Sequence, residues 1–148
     1  MGRVSEGGVA MAKRFVVRMR VRLDDVDYVQ VLYFPRVAHL CCVALEDFFR
    51  EALGLPWPQM VDEHNVSMPT VDLHVTYKKP LRFGEEFDVE VGVRELGRRK
   101  AVYRYELRNV RGEVTGIVVH TVVFVRQDTW EPIEIPAAYR AALEGYVG

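Results

Sequence analysis

Residues 24–54 read DDVDYVQVLYFPRVAHLCCVALEDFFREALG, and the rest of the chain is organised around this stretch. Val37, Leu40, Cys41, Ala44, Leu45, Phe48, Phe49 and Ala52 recur at i, i+3, i+4, i+7, i+8, i+11, i+12 and i+15. This unbroken apolar stripe at the helical period predicts one long amphipathic helix. His39, Glu46, Asp47, Arg50 and Glu51 fall on its flanking and outer faces. Pro35 suits the first helical position, where its missing N–H would have had no partner. Gly54 suits the position just past the end, where a left-handed residue is wanted.

The start of this helix carries the chemical interest. Neither Tyr33 nor Phe34 is a side-chain capper, so the free N–H groups of the first turn need partners from elsewhere. Water can fill that role, and so can a ligand oxygen, because a helix N terminus attracts negative charge. Asp24, Asp25 and Asp27 crowd the loop just upstream. They are either a solvated acidic turn or a source of general-base chemistry, and Asp27 is the best placed of the three. A carboxylate beside an uncapped helix N terminus is suited to handling a carbonyl group.

Working outward, Phe15 to Leu23 alternates apolar residues with Arg18, Arg20 and Arg22, as a half-buried strand does. Leu55 to Asn65 is a connection. Val66 to Lys78 reads as a second strand, with Val71, Leu73, Val75 and Tyr77 opposite Asp72, His74 and Thr76, and with Pro69 near its beginning. Phe87, Val89, Val91 and Val93 mark a third strand, and Ala101, Tyr103, Tyr105 and Leu107 a fourth. Val114 to Arg126 is the most apolar and is expected to be central. The short connections imply antiparallel pairing. Ala137 to Val147 can form a short terminal helix. The pattern is α+β: one long helix and a five-stranded antiparallel sheet.

The 148 residues form a single domain over 14–148, and residues 1–13 read as a disordered leader in which Met11 is an alternative start. The leader has no apolar core region, so it is not a secretory signal. The net charge of −1 gives no global electrostatic case for nucleic acid or membrane. No apolar run is long enough to span a bilayer. Cys41 and Cys42 are adjacent on the helix, where they cannot bridge each other comfortably, which fits a reducing cytoplasm.

Several chemistries are excluded by pattern. The two serines are Ser5, in the leader, and Ser67, which lacks a G-x-S-x-G context, so a serine hydrolase does not fit. There is no C-x-x-C, H-x-x-x-H or H-E-x-x-H, no phosphate loop and no G-x-G-x-x-G, so neither a metal nor a cofactor is expected. Cys41 reads as a buried structural cysteine. His39, His64, His74 and His120 read as packing or surface residues, with His64 the most open to a functional role because it lies in an irregular connection. The basic turns at Arg98, Arg99 and Lys100, and at Lys78, Lys79 and Arg82, are either solvated hairpin tips or a clamp for phosphates.

At this point the residues resemble a known family. DYVQVLYFPRV from Asp27, with the downstream VDLHVTYKKPLRFGEEFDV, is similar to the active-site motif and the strand–turn–strand of hotdog-fold acyl-CoA thioesterases of the 4-hydroxybenzoyl-CoA type. The resemblance covers about Phe15 to Gln127. It implies a sheet wrapped around the long helix, a homodimer at minimum and often a homotetramer, with sites at the dimer interface. It implies an acyl-CoA substrate, with coenzyme A entering only as part of that substrate. By position, Asp27 would be the nucleophile or general base and the Phe34 backbone N–H would polarise the thioester carbonyl. Tyr33, Arg98, Arg99 and Lys100 would bind substrate, the last three through the nucleotide phosphates. Two residues depart from the pattern: Gln30 stands where the family usually has Gly, and Phe34 where relatives often carry Tyr or His. Three other readings remain: a thioesterase acting on acyl carrier protein, a hotdog dehydratase or hydratase, and a non-catalytic acyl-CoA binding module.

Overall fold

A computed structural model describes residues 12–148; the leader expected over residues 1–13 lies, apart from its last two residues, outside the described part. The strands are β1 (Phe15–Arg20), β2 (Val66–Ser67), β3 (Thr70–Tyr77), β4 (Glu86–Leu96), β5 (Lys100–Asn109), β6 (Val114–Val123) and β7 (Val125–Arg126). Helix α1 spans Phe34–Asp47 and continues through wider π turns over Phe48–Leu53, and α2 spans Ala137–Glu144. The main sheet has the order β1-β4-β5-β6-β3, every neighbouring pair antiparallel, and β2 pairs with β7 in a separate two-stranded ribbon.

The helix forms where the apolar period placed it. Val37, Leu40, Cys41, Ala44, Leu45, Phe48 and Phe49 are all buried. They pack on the inward residues of β4 (Phe87, Val89, Val91, Val93) and of β5 (Tyr103, Tyr105, Leu107), all in one core. Phe49 anchors the far end, its ring 5.1 Å from that of Trp57 and 6.2 Å from that of Tyr103. Ala52 is only half-buried, because the π turns after Asp47 shift the phase of the stripe and rotate it off the core. The helix begins one residue earlier than the pattern suggests, which places Pro35 second. Gly54 ends the run at φ 68°, its N–H donating to the Phe49 carbonyl.

Two strand expectations are corrected. The stretch from Val66 to Lys78 is two strands, broken at Met68 and Pro69, where a residue without an N–H interrupts the ladder. The middle of the sheet is β5, not β6; β6 is an interior strand between β5 and β3. Strand β3 lies at the sheet edge, and Val71, Leu73 and Tyr77 are 57%, 42% and 52% exposed. Alternation marks the apolar face of a strand but not what covers it, and α1 does not extend over this one. Among the described residues no helix is long and apolar enough to cross a membrane.

Candidate functional site

Asp27 sits in a small hairpin that the chain builds between β1 and α1. The Tyr33 N–H donates to the Asp25 carbonyl at 2.7 Å, Val26 bridges Leu32, and the Asp27 N–H donates to the Val31 carbonyl at 3.1 Å. At the tip the Gln30 N–H closes on the Asp27 carbonyl at 3.0 Å. The Asp27 side chain folds back on its own turn, its Oδ1 accepting from the Val29 N–H at 3.0 Å, with the Val31 N–H at 3.5 Å. Among the described residues Oδ2 accepts no hydrogen bond, so one carboxylate oxygen is open to a ligand or a water. Gln30 has φ 70°, a left-handed conformation that glycine adopts without cost. The departure from the family's Gly therefore leaves the turn's shape intact.

The hairpin delivers the chain directly to the start of α1. No side chain caps that end, and among the described residues no backbone carbonyl outside the helix accepts the Phe34 N–H. Phe34 is 64% exposed, and Tyr33 packs edge-on against it at 5.3 Å. The Tyr77 hydroxyl reaches across from β3 and donates to the Phe34 carbonyl at 2.9 Å. Next to this corner, Val31, Leu32, Val37, Val75, Tyr77 and Lys78 help to line a cavity of about 310 Å³. A second cavity, about 570 Å³, runs further along the α1–β3 groove past Cys41, Leu45, Trp57, Leu73 and His120. Both volumes are of the size that small-molecule sites use.

The acidic trio separates in space. Asp25 is 2% exposed and is held by Arg36 of α1 at 3.0 Å, while Asp24 is exposed and lies 3.8 Å from the same guanidinium. Only Asp27 turns its carboxylate onto the helix-start hairpin. No sequence signal singled out Asp25 and Arg36, because a buried ion pair between a loop and a helix has no characteristic spacing.

The other sequence candidates fall as follows. The Cys41 thiol is buried among apolar groups, which pushes its pKa up to about 12 and leaves it an unreactive core residue. His64 bonds the Tyr139 hydroxyl at 2.8 Å and packs on that ring. His120 lies between the Thr70 hydroxyl (2.7 Å) and the Tyr105 hydroxyl (2.9 Å), and burial lowers its pKa. No histidine contacts a carboxylate among the described residues, which counts against the dehydratase reading. Arg98, Arg99 and Lys100 lie at the opposite end of the sheet from Asp27. Arg98 pairs with Glu134 at 3.2 Å and Lys100 with Glu95 at 3.7 Å. The ten residues of β5 separate the two ends by roughly 30 Å. A single chain thus brings together Asp27, Tyr33 and Phe34, but not these cations. Lys78, Lys79 and Arg82 are nearer, since Arg82 bridges Val31 of the hairpin.

A five-stranded antiparallel sheet around one long helix defines a hotdog-fold protein, and in this chain a carboxylate hairpin feeds the uncapped helix start. The model of the Thioesterase-like superfamily matches residues 21–143, and the chain belongs to that superfamily. YneP of Bacillus subtilis (strain 168), provisionally named an acyl-CoA thioesterase, is 26% identical over 121 residues, 82% of this chain and 86% of that protein. A 1,4-dihydroxy-2-naphthoyl-CoA hydrolase of Synechococcus elongatus is 28% identical over 102 residues, 68% of this chain and 74% of that one. The crystal structure of a DHNA-CoA thioesterase from Staphylococcus aureus superposes with a TM-score of 0.79 at 26% identity, covering 90% of this chain and 88% of that one.

Proposed function

We propose that the protein hydrolyses acyl-CoA thioesters, with Asp27 acting on a carbonyl whose oxygen is held at the N terminus of α1. The observation that carries this reading is the half-open Asp27 carboxylate in a hairpin that runs straight into an uncapped helix start. The Phe34 N–H and the helix dipole are aimed where negative charge develops on the carbonyl oxygen. As a general base, Asp27 takes a proton from water and the resulting hydroxide adds to the carbonyl carbon. The tetrahedral oxyanion then collapses, the C–S bond breaks, and the thiolate takes up the proton as coenzyme A leaves. As a nucleophile, Asp27 instead displaces the thiolate directly, and water cleaves the acyl anhydride that forms.

The relatives named for dihydroxynaphthoyl-CoA support an aromatic acyl group lying along the apolar α1–β3 groove against Tyr33. Dimerisation is supported by β3, whose outer edge has no strand partner among the described residues and whose apolar residues stand open. An antiparallel partner on that edge brings the far end of one sheet beside the helix start of the other. Arg98, Arg99 and Lys100 of one subunit then face the coenzyme A phosphates at its neighbour's site, and two such dimers make the tetramer. The reaction needs no metal or redox cofactor, and a reducing cytoplasm suits its free cysteines.

The test is thiol release from a panel of acyl-CoAs (short, long and aromatic, 4-hydroxybenzoyl included) by the wild type and by Asp27→Asn. Turnover is expected to fall about 100-fold or more in the variant, the scale of a lost general base. Equal turnover in both proteins would remove Asp27 from the mechanism. Tight acyl-CoA binding without turnover would favour the binding module, and turnover only on acyl carrier protein would change the carrier.

A further inference from the structure

Asp25 is a charged group that the proposed chemistry does not use, yet it is more deeply buried than Asp27. Its Oδ2 accepts from the Arg22 N–H at 2.9 Å, in the turn that follows β1. Its Oδ1 takes the Arg36 guanidinium, with Nε at 3.1 Å and Nη2 at 3.0 Å. Its carbonyl accepts the Tyr33 N–H at 2.7 Å. One residue therefore ties together the turn that follows β1, the base of the Asp27 hairpin and the first turn of α1. The other flank of the hairpin is tied separately, by the Leu32 N–H donating to the Leu81 carbonyl at 2.7 Å.

We propose that Asp25 and Arg36 are a positioning pair, which holds the Asp27 carboxylate at a set distance from the helix-start N–H so that both act on one carbonyl. This rests on the thioesterase reading given above. Asp27 lies within the seven-residue hairpin 26–32 that the Asp25–Tyr33 contact closes, and the Phe34 N–H follows directly after it, so how that closure is held sets the separation of the two. Arg36 Nε and Nη2 converge on the one oxygen Oδ1, a forked contact that the single ammonium of a lysine in place of Arg36 does not reproduce. Burial makes the carboxylate depend on those donors, so the pair does not exchange readily with water. Misplacing a catalytic group by about 1 Å costs on the order of 100-fold in rate. Substrate binding is expected to be affected little, because the α1–β3 groove lies on the other side of the helix start from Asp25, which lines a separate cavity with Arg20, Arg22 and His39.

The experiment measures kcat and KM on the best acyl-CoA of the panel for wild type, Asp25→Asn, Arg36→Lys and Asp27→Asn. Amide hydrogen exchange at Val29, Tyr33 and, as a sheet control, Tyr105 is followed in the same proteins. Asp25→Asn is expected to lower kcat about 100-fold with KM changed by less than about twofold. Exchange should quicken at Val29 and Tyr33 but not at Tyr105. Arg36→Lys, which keeps the charge, should fall between the two and serves if Asp25→Asn does not fold. An unchanged kcat in a folded variant overturns the proposal. So does a loss of kcat accompanied by equally faster exchange at Tyr105, which would mean general destabilisation. If neither wild type nor Asp27→Asn turns over any substrate, the thioesterase reading fails. The exchange data then still decide the pair, since unchanged exchange at Tyr33 shows that Asp25 does not hold the hairpin.

Discussion

His120 makes the stability of this protein depend on pH in a window that no other shifted group occupies. Its ring lies on the helix-facing side of β6, with the rings of Tyr103 and Tyr105 at 5.8 and 5.9 Å. Its two nitrogens are bonded to the hydroxyls of Tyr105 and Thr70, which a neutral imidazole with one donor and one acceptor satisfies completely. Protonation would place a cation in that partly buried site, and burial accordingly lowers the pKa from 6.5. The unfolded chain therefore binds a proton that the folded chain refuses. The His120 contribution is fully present above 6.5 and is lost as the pH falls below it, until the folded pKa is reached. From pH 7.5 to 5.5 the loss is at most about 1.4 kcal/mol, the value of one pKa unit. The carboxylates with lowered pKa values, Glu106, Glu113 and Asp128, titrate from 4.5 or 3.8 downward and stay out of this range. Urea unfolding at pH 7.5, 6.5 and 5.5, at one protein concentration and ionic strength, measures the slope. His120→Gln is expected to be less stable throughout but flatter with pH. The other three histidines are present in both proteins, so the difference in slope isolates His120. Equal slopes would show that His120 is not held neutral by burial.

Phe49→Ala removes a fully buried ring that touches Phe48, Trp57 and Tyr103, and should destabilise by about 3–5 kcal/mol in urea unfolding. A loss below about 1 kcal/mol would mean that the helix end can collapse onto the gap. Gln30→Gly relieves a left-handed side-chain conformation worth about 1–2 kcal/mol, partly offset by about 0.4–1 kcal/mol of unfolded-chain entropy. A small rise in the unfolding midpoint is expected, and a fall would place a stabilising contact on the Gln30 side chain. Glu113 bonds Lys79, Asn109 and Arg111, in that order of effect, which lowers its pKa to about 2. Its carboxylate carbon should titrate near that value by NMR and move up toward 4.5 in Lys79→Ala. Any stabilisation it provides is present above 4.5 and fades as the pH falls toward 2. A midpoint unmoved by Lys79→Ala would assign the shift to the other two partners.

The long helix was legible because burying one face of a helix imposes a fixed spacing, and Val37 to Phe49 keep it without a gap. The sheet was legible as five antiparallel strands for the same reason at a period of two. Periodicity is silent about what surrounds an element. Val71, Leu73 and Tyr77 alternate like core residues yet stand open on an edge strand. β6 is strongly apolar without being the middle strand; that position belongs to β5, whose outward side chains Arg104, Glu106 and Arg108 form an ion-pair ladder. Asp27 was distinguishable by its place before the helix start. That its neighbour Asp25 is buried was not.

What the sequence alone determined is local: the helix and its ends at Pro35 and Gly54, the alternation of β4 and β5, and the carboxylate ahead of a helix start without a capping side chain. Backbone geometry imposes these features over a few residues, so a few residues reveal them. The tertiary structure alone decided the strand order, the Asp25–Arg36 pair, the distance between Asp27 and Arg98–Lys100, and the seating of His120 between Tyr105 and Thr70. The last contact joins residues 50 positions apart. Such pairings are selected by how the sheet closes on the helix and by which polar groups must then find partners inside it, and that competition leaves no local trace in the chain.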